Sequence, residues 1–140
     1  MSKVYIGKEL IERGEDFVVA KVVETHGATP RKKGAWLLMT KDGTRYGTVG
    51  GGRLEADVAK ICLETFKTKE PKTHHFQVAC TGQEGHEICG GDADVKIEYI
   101  DAQNPDSFDI SDLETETTAF IFGGGHVGKA VEPILRYVNF

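Results

Sequence analysis

The stretch 35-AWLLMTKDGTRYGTVGGGRLEADVAK-60 contains a predicted β-hairpin, a glycine turn and the start of a helix in direct succession. Two apolar runs flank Lys41-Asp42-Gly43, and an Asp-Gly pair between such runs is a strong hairpin signal. From Arg53 the apolar residues take the period of an amphipathic helix that ends near Lys69, before Pro71. A hairpin that leads directly into such a helix favours a sheet with a packed helix, and therefore the α+β class.

Residues on either side of this stretch predict the other elements of the domain. A short helix extends to about Arg13, and FVVAKVVET from Phe17 is rich in β-branched residues, which indicates a strand. Beyond the central helix, HHFQVA at 74–79 and DVKIEYI at 94–100 predict two further strands, the second by its alternation of apolar and charged residues. We therefore expect an α+β N-terminal domain over residues 1–100, with a mixed sheet and packed helices.

The remaining residues change in character. Residues 101–117 carry a proline, many acidic residues and few apolar ones, which predicts a linker. At 118–140 a predicted strand, TAFIF, precedes Gly123-x-Gly125-x-x-Gly128 and a helix, the order of a dinucleotide-binding unit. We expect the first strand, turn and helix of a Rossmann-like α/β domain, truncated at the chain end. His126 either faces a ligand there or lies exposed at the start of the helix.

The composition excludes several classes of partner. The chain has 17 Lys and Arg against 22 Asp and Glu, a net charge of −5, and no basic stripe that could neutralise nucleic-acid phosphates. Its longest uninterrupted apolar run is AWLLM, whereas a membrane-spanning helix needs about 20 apolar residues. The N-terminus lacks the apolar core of a signal peptide, and three cysteines are too few for a secreted disulfide scaffold. We expect a cytoplasmic protein that binds neither nucleic acid nor membrane.

The triple glycine before the central helix is a candidate ligand site. Gly50, Gly51 and Gly52 precede a helix whose first-turn amides lack intrahelical partners and carry partial positive charge, and glycines let an anion approach them closely. Arg53 would add a cation, and Glu55 would cap a free amide or hold a hydroxyl or amino group of a ligand. A tight turn that needs positive φ explains the same residues, with Glu55 favourable in the first helical turn, so both interpretations stay open.

A basic loop precedes the hairpin. The sequence HGATPRKKG at 26–34 places Arg31, Lys32 and Lys33 in an otherwise acidic protein, which suggests an anionic ligand or an acidic partner surface. A solvated basic loop explains Lys32 and Lys33 equally well. Arg31 follows Pro30 directly and is therefore the better candidate for a fixed role.

The stretch 80-CTGQEGHEICGG-91 combines two thiols with a histidine. Its spacing, C-x5-H-x2-C, has no second pair of metal ligands, so a structural zinc site is not favoured. Cys89 stands beside Gly90 and Gly91, which would leave its sulfur open, and a thiolate is a soft ligand suited to molybdenum, copper or a persulfide. Cys62, in contrast, lies on the apolar face of the predicted helix and is expected in the core.

Three sequence blocks together resemble the XdhC/CoxI family of molybdoenzyme accessory proteins. They are GATPRKKGAWLLMTKDGTRYGTVGGGRLE at 27–55, ICGG at 88–91 and FIFGGGHVGKAV at 120–131. The first block is the most specific, because Thr-Pro-Arg, a hairpin and a triple glycine followed by a glutamate occur together. The resemblance implies an N-terminal domain followed by a Rossmann-type domain. By position it also implies that cofactor binding involves the glycine signature at 50–52 with Glu55, the Cys89-Gly90-Gly91 block, and Gly123, Gly125 and Gly128.

The resemblance further implies a protein that transiently binds molybdenum cofactor, as molybdopterin or its dinucleotide form, and delivers it to a molybdenum hydroxylase such as xanthine dehydrogenase. Its partners would be the apo-hydroxylase and the cofactor sulfuration machinery. The sequence contains no evident pair of nucleophile and base, which favours a carrier over a catalyst. We also expect a homo-oligomer, with an exchanged C-terminal segment as one arrangement. Two alternatives stay open: an NAD(P)-dependent oxidoreductase or nucleotide-binding protein, although NAD(P) is not the expected cofactor, and a non-catalytic assembly fragment.

Overall fold

A computed structural model of the chain describes residues 3–29, 31–78, 80–81, 87–88, 90–108 and 125–137. Five strands form one sheet in the order β3-β2-β1-β7-β4, and β5 pairs with β6 separately. The elements in chain order are α1 (Lys3–Glu12), β1 (Phe17–His26), β2 (Trp36–Thr40), β3 (Arg45–Gly47), α2 (Gly52–Thr68), β4 (Lys72–Gln77), β5 (Cys80–Thr81), β6 (Glu87–Ile88), β7 (Asp92–Ile100), a 3-10 turn (Pro105–Ser107) and α3 (His126–Tyr137).

The α+β class is confirmed, but the prediction of a mixed sheet is wrong. Every neighbouring pair in the five-stranded sheet is antiparallel. Parallel neighbours need a long crossover connection, usually a helix, and α2 is the only helix that connects two strands of this sheet among the described residues. It joins β3 to β4, which lie at opposite edges of the sheet and so do not pair.

The sheet separates two helical layers. Side chains alternate between the two faces of a strand, so Val18 and Ala20 pack with α2, whereas Phe17 and Val19 pack with Leu10 of α1. Because helices cover both faces, β1 is continuously apolar over residues 17–20 and β2 over residues 36–39. The buried residues on the α2 side are Val18, Ala20, Val22, Ala35, Leu37, Met39, Val49, Leu54, Val58, Ala59, Cys62, Val78, Ala93, Val95 and Ile97.

Most predicted elements are present, with shifted ends. The hairpin, α1, β1 and α2 are confirmed, while β4 covers 72–77 where 74–79 was expected and β7 begins at 92 where 94 was expected. The glycine- and cysteine-rich loop contains two short strands that the sequence did not predict, paired through Cys80 and Ile88. Each is only two residues long, so neither has a periodicity that could be recognised.

Residues 101–108, at the start of the predicted linker, contact the domain. Ala102 is buried, and the Phe108 ring packs edge-on against Phe17 with its centroid 5.3 Å away. At the C-terminus, helix α3 occurs where a helix was predicted. The strand predicted at 118–122 and Gly123 lie outside the described residues, so the Rossmann-like unit stays a prediction. None of the described helices is both long and apolar enough to span a membrane.

Cys62 lies in the core on the inner face of α2, as the helical periodicity predicted. Burial raises the pKa of its thiol to about 12, and the thiolate is the reactive form. We therefore expect Cys62 to resist alkylation by iodoacetamide in the folded protein and to react once urea unfolds the chain. Peptide mass spectrometry would measure modification at this residue, and rapid labelling of the folded protein would contradict its burial.

His75 on β4 forms a hydrogen bond with Asp94 of the adjacent strand, with Nδ1 2.6 Å from Oδ1. This bond raises the pKa of His75 above its ordinary value. A raised folded-state pKa stabilises the protein fully below the unfolded-state pKa, and the stabilisation is lost as pH rises through the folded-state pKa. We expect His75→Gln to lower the melting temperature at about pH 5.5 and to have little effect at about pH 8.5. An equal change at both pH values would contradict this assignment.

Candidate functional site

Three of the predicted loops leave the sheet at the same end. At this end β1 finishes at His26 and β7 begins at Asp92, which are paired residues. The neighbouring β2 begins at Trp36, and β3 finishes at Gly47, opposite Leu37. The basic loop, the triple-glycine turn and the cysteine-containing loop therefore all leave the sheet at the same end. The sequence could not predict this, because it depends on strand order and register.

The triple-glycine turn requires glycine at every position. Gly50, Gly51 and Gly52 have φ values of 140°, 74° and 58°, which side chains on L-residues strongly disfavour. A Cβ at Gly51 or Gly52 would meet no atom within 4 Å. Backbone conformation therefore selects these two glycines, and the space in front of them is open.

Two side chains hold this turn from within. Glu55 Oε2 accepts a hydrogen bond from the Gly51 amide at 3.2 Å and another from the Thr48 hydroxyl. The Thr48 Oγ1 in turn accepts from the Gly50 amide at 3.1 Å. Glu55 thus reaches back to the N-cap amide, as the glutamate of a capping box does. This arrangement supports the structural interpretation of Glu55, since its carboxylate already has protein partners.

The first turn of α2 still offers groups to an anion. The amides of Gly52, Arg53 and Leu54 donate to no other described residue, as expected at a helix N-terminus. The Arg53 side chain is 91% exposed, with a 3.8 Å contact to Asp57. Arg45 lies 4.0 Å from Glu55 and partly offsets its negative charge. Open amides beside two arginines make this turn suitable for a phosphate or another small anion.

Gly91 joins the cysteine-containing loop to the basic loop. Its amide donates to the Ala28 carbonyl at 2.8 Å, and its carbonyl accepts from the Val78 amide at 2.8 Å. Gly27, with φ of 71°, is so close that a Cβ there would lie 3.1 Å from Gly91 Cα. The backbones at 27–28 and 91 are therefore in direct contact, which places Gly90 and the loop that leads to Arg31 at the same end of the sheet.

The remaining predicted residues have varied positions. Arg31 is exposed, and its carbonyl accepts a hydrogen bond from the Thr29 hydroxyl at 2.9 Å. Gly125 and His126 are exposed at the start of α3, and Gly128 is half-buried within it. Cys89 lies outside the described residues, so its role as a molybdenum ligand stays a prediction. Within the described ranges, no group of three or more His, Cys, Asp or Glu side chains could hold a metal ion.

Sequence reasoning missed Thr48, Arg45 and Ala28. Thr48 had a usable signal, because a hydroxyl two residues before a glycine often bonds to the backbone of a turn. Arg45 and Ala28 had none, since each acts through a contact that only strand pairing or loop packing creates.

Removal of the Glu55 side chain tests its capping role. We expect Glu55→Ala to lower the free energy of unfolding by about 1 kcal/mol, because the Gly51 amide and the Thr48 hydroxyl lose their acceptor. Glu55→Gln, which keeps one acceptor oxygen, should lose less. Urea unfolding measures both, with Glu64→Ala on the exposed face of the same helix as the control. If Glu55→Ala is as stable as the control, the capping assignment is wrong.

Comparisons with known proteins match the region from α1 to β4 to a known family. Residues 10–77 match the sequence model of the XdhC and CoxI family. The uncharacterized protein YqeB of Escherichia coli is 29% identical over 133 residues, which cover 94% of this chain and 22% of that protein. A probable xanthine dehydrogenase subunit from Bacillus subtilis is 43% identical over 49 residues, which cover 35% of this chain and 15% of that protein.

A solved structure of a xanthine dehydrogenase is also similar to this chain. The crystal structure of a xanthine dehydrogenase from Bacillus halodurans is similar with a TM-score of 0.61 and 26% sequence identity, over 76% of this chain and 34% of that chain. This chain therefore spans between 15% and 34% of the length of these relatives.

Proposed function

We propose that this chain binds molybdenum cofactor and delivers it to a molybdenum hydroxylase such as xanthine dehydrogenase, because residues 10–77 match the XdhC and CoxI family model and the similar proteins include xanthine dehydrogenase-related ones. The family and its xanthine dehydrogenase-related neighbours fit an accessory role. The partners we propose are the apo-hydroxylase and the machinery that adds sulfur to the cofactor. The cofactor is the cargo, and it supplies the client with its redox-active metal.

The observation that carries this proposal is the convergence of three loops at one end of the sheet. The turn at Gly50–Gly52, the loop that leads to Arg31 and the backbone of Gly90–Gly91 all adjoin strand ends at that end of the sheet, and the Gly91 amide bonds to Ala28. Separately, each of these stretches has an ordinary structural explanation. Together they supply the open amides of the glycine turn, the cations of Arg31 and Arg53, and the thiol of Cys89, which precedes Gly90 in the sequence.

The chemistry of these groups fits the cofactor. Molybdenum cofactor combines a phosphate, a polar pterin and a dithiolene-bound metal. The amides at Gly52–Leu54 with Arg53 suit the phosphate. Arg31 would add a second cation, and Cys89 would offer a soft ligand to molybdenum. Glu55 keeps its structural bonds, and its charge is partly offset by Arg45 at 4.0 Å.

Cofactor retention tests the proposal directly. Purified protein is mixed with molybdenum cofactor under anaerobic, reducing conditions and passed over a gel-filtration column, and the molybdenum and pterin in the protein peak are measured. We expect retention by the wild type and about tenfold weaker binding by Arg53→Glu, which reverses the charge beside the open amides. Lys72→Glu, an equal charge change on exposed β4, is the matched control.

A second variant separates metal binding from phosphate binding. Cys89→Ser should weaken binding of the metal-containing cofactor but not of metal-free molybdopterin, because only the former presents an ion to the thiolate. No retention by the wild type, together with normal hydroxylase activity in a deletion strain, would overturn the proposed function.

Helix α3 favours a second role, in assembly. Val127, Val131 and Ile134 follow helical spacing and are 77%, 36% and 61% exposed. A stripe of this kind usually packs against another surface. We therefore propose that α3 contributes to a homo-oligomer. Multi-angle light scattering should show an oligomeric wild type that Val131→Glu converts to a monomer, and a monomeric wild type would exclude the proposal.

A further inference from the structure

A cleft of about 620 Å³ lies at the end of the sheet opposite the three loops. Its apolar wall includes Leu10, Tyr46, Phe66 and Tyr99, which come from both helical layers and from two strands. Its volume is within the range of about 300 to 1,000 Å³ that small-molecule sites occupy, and such sites combine an apolar wall with a few polar groups. The cleft therefore has the size and lining of a ligand site.

This cleft is separate from the triple-glycine turn. Helix α2 begins beside that turn at Gly52, and Phe66, near its other end, lines the cleft. A helix rises 1.5 Å per residue, so Phe66 lies about 21 Å along α2 from Gly52.

Three carboxylates line the cleft, those of Glu15, Asp16 and Asp42, and the last two are already bound within the protein. Asp16 accepts hydrogen bonds from the Tyr99 hydroxyl at 2.5 Å and from the Ala102 amide at 2.9 Å. Asp42 accepts from the hydroxyl of Thr44 at 3.0 Å and from its amide at 3.1 Å. The hydrogen bond from Tyr99 is the main reason that the pKa of Asp16 lies below its ordinary value. Asp16 and Asp42 are therefore fixed parts of the wall.

Two lysines, Lys41 and Lys69, also line the cleft. Lys41, in the hairpin turn, lines the cleft and forms no direct hydrogen bond or ion pair with a described residue, although its charge contributes, after the hydrogen bond from Tyr99, to the lowered pKa of Asp16. Lys69 caps α2 with φ of 56°, and its Nζ lies 4.7 Å from the centroid of the Tyr99 ring. The cleft thus presents two lysine cations, Lys41 in the hairpin turn near Asp16 and Lys69 over the Tyr99 ring.

We propose that this cleft binds a small organic anion that carries an aromatic ring, with its acid group on Lys41 and its ring against the wall formed by Phe66 and Tyr99. The edge-to-face packing of these two rings, with centroids 6.0 Å apart, keeps the wall rigid. The acid group can be a carboxylate or a phosphate, since both accept hydrogen bonds from an ammonium group.

Calorimetric titration of the purified chain tests the proposal with three probes. They are 4-hydroxybenzoate, phenyl phosphate and inorganic phosphate. We expect saturable one-to-one binding of at least one aromatic probe, and the tighter of the two identifies the acid group. Inorganic phosphate should bind at least about tenfold more weakly than phenyl phosphate, because it lacks the ring that packs on the aromatic wall.

Variants locate the binding. Lys41→Glu should weaken binding of the aromatic probe by about tenfold or more, and Lys41→Gln should do so to a smaller extent. Lys60→Glu, an equal charge change on the exposed face of α2, is the matched control and should bind as the wild type does. Near-ultraviolet circular dichroism checks that each variant is folded.

Three outcomes would overturn the proposal. They are no saturable binding of either aromatic probe, equal affinity of the Lys41 variants and the wild type, and inorganic phosphate binding as tightly as phenyl phosphate. Because the probes contain no molybdenum or pterin, failure here leaves the cofactor-retention experiment unaffected.

Discussion

Gly91→Ala is expected to lower the free energy of unfolding by about 3 kcal/mol or more. A Cβ at this position would lie 2.1 Å from the His26 carbonyl oxygen and 2.8 Å from that of Ala28. Both are backbone atoms, so no change of rotamer can relieve the overlap. The added methyl group would force apart β1 and the loop before β7, and would break the hydrogen bond from the Gly91 amide to Ala28.

Urea unfolding measures this loss through the fluorescence of Trp36, the single tryptophan, which is buried. Gly125→Ala is the matched control, because a Cβ there meets no atom within 4 Å, and a change within about 0.5 kcal/mol is expected. A loss below about 1 kcal/mol for Gly91→Ala would mean that the two loops separate readily. Gly91→Ala, kept below its melting temperature, should also retain less molybdenum cofactor than the wild type.

Phe17→Ala is expected to cost about 3 to 5 kcal/mol, the range for removal of a buried phenyl ring. Phe17 is completely buried on the α1 side of the sheet. Part of its contact is the Phe108 ring, which packs edge-on at 87°. Chemical denaturation measures the loss, and Leu63→Ala on the exposed side of α2 should lose less than about 1 kcal/mol.

A double-mutant cycle shows whether residues 101–108 belong to the domain. Phe17→Ala and Phe108→Ala should be coupled by about 0.5 to 1.5 kcal/mol if the two rings pack as the structure places them. Coupling near zero would mean that Phe108 contributes nothing to the core, and the domain would then end near residue 100, as the composition of the linker predicts.

The elements that could be predicted are those with local signals. The Asp42-Gly43 turn fixes the hairpin through hydrogen bonds within five residues, from Thr40 to Thr44. The limits of α2 follow from its apolar period and the glycines before it. The ends of β4 and β7 were less predictable, because their outermost residues become strand by pairing with each other, as Gln77 does with Asp92.

In the candidate site, too, some features could be predicted from local sequence and others depend on the tertiary structure. Positive φ at Gly50–Gly52 follows from three consecutive glycines before a helix, and a capping role for Glu55 was one of the two interpretations that the sequence allowed. The involvement of Thr48 and Arg45 depends on the geometry of the turn and of β3. The cleft near Lys41 was not predicted at all, since its wall combines residues from positions as far apart as Leu10 and Tyr99.

The sequence by itself determined the α+β class, the hairpin, the helices and the resemblance to the XdhC and CoxI family, because turn chemistry, periodicity and short motifs are properties of neighbouring residues. Only the tertiary structure decided that the sheet is antiparallel in the order β3-β2-β1-β7-β4, and that the loops divide between its two ends. The physical reason is the long-range pairing of β1 with β7, in which Phe17 lies opposite Ile100 and His26 opposite Asp92. Register of this kind comes from burial of both strands between two helical layers, which no local stretch of sequence encodes.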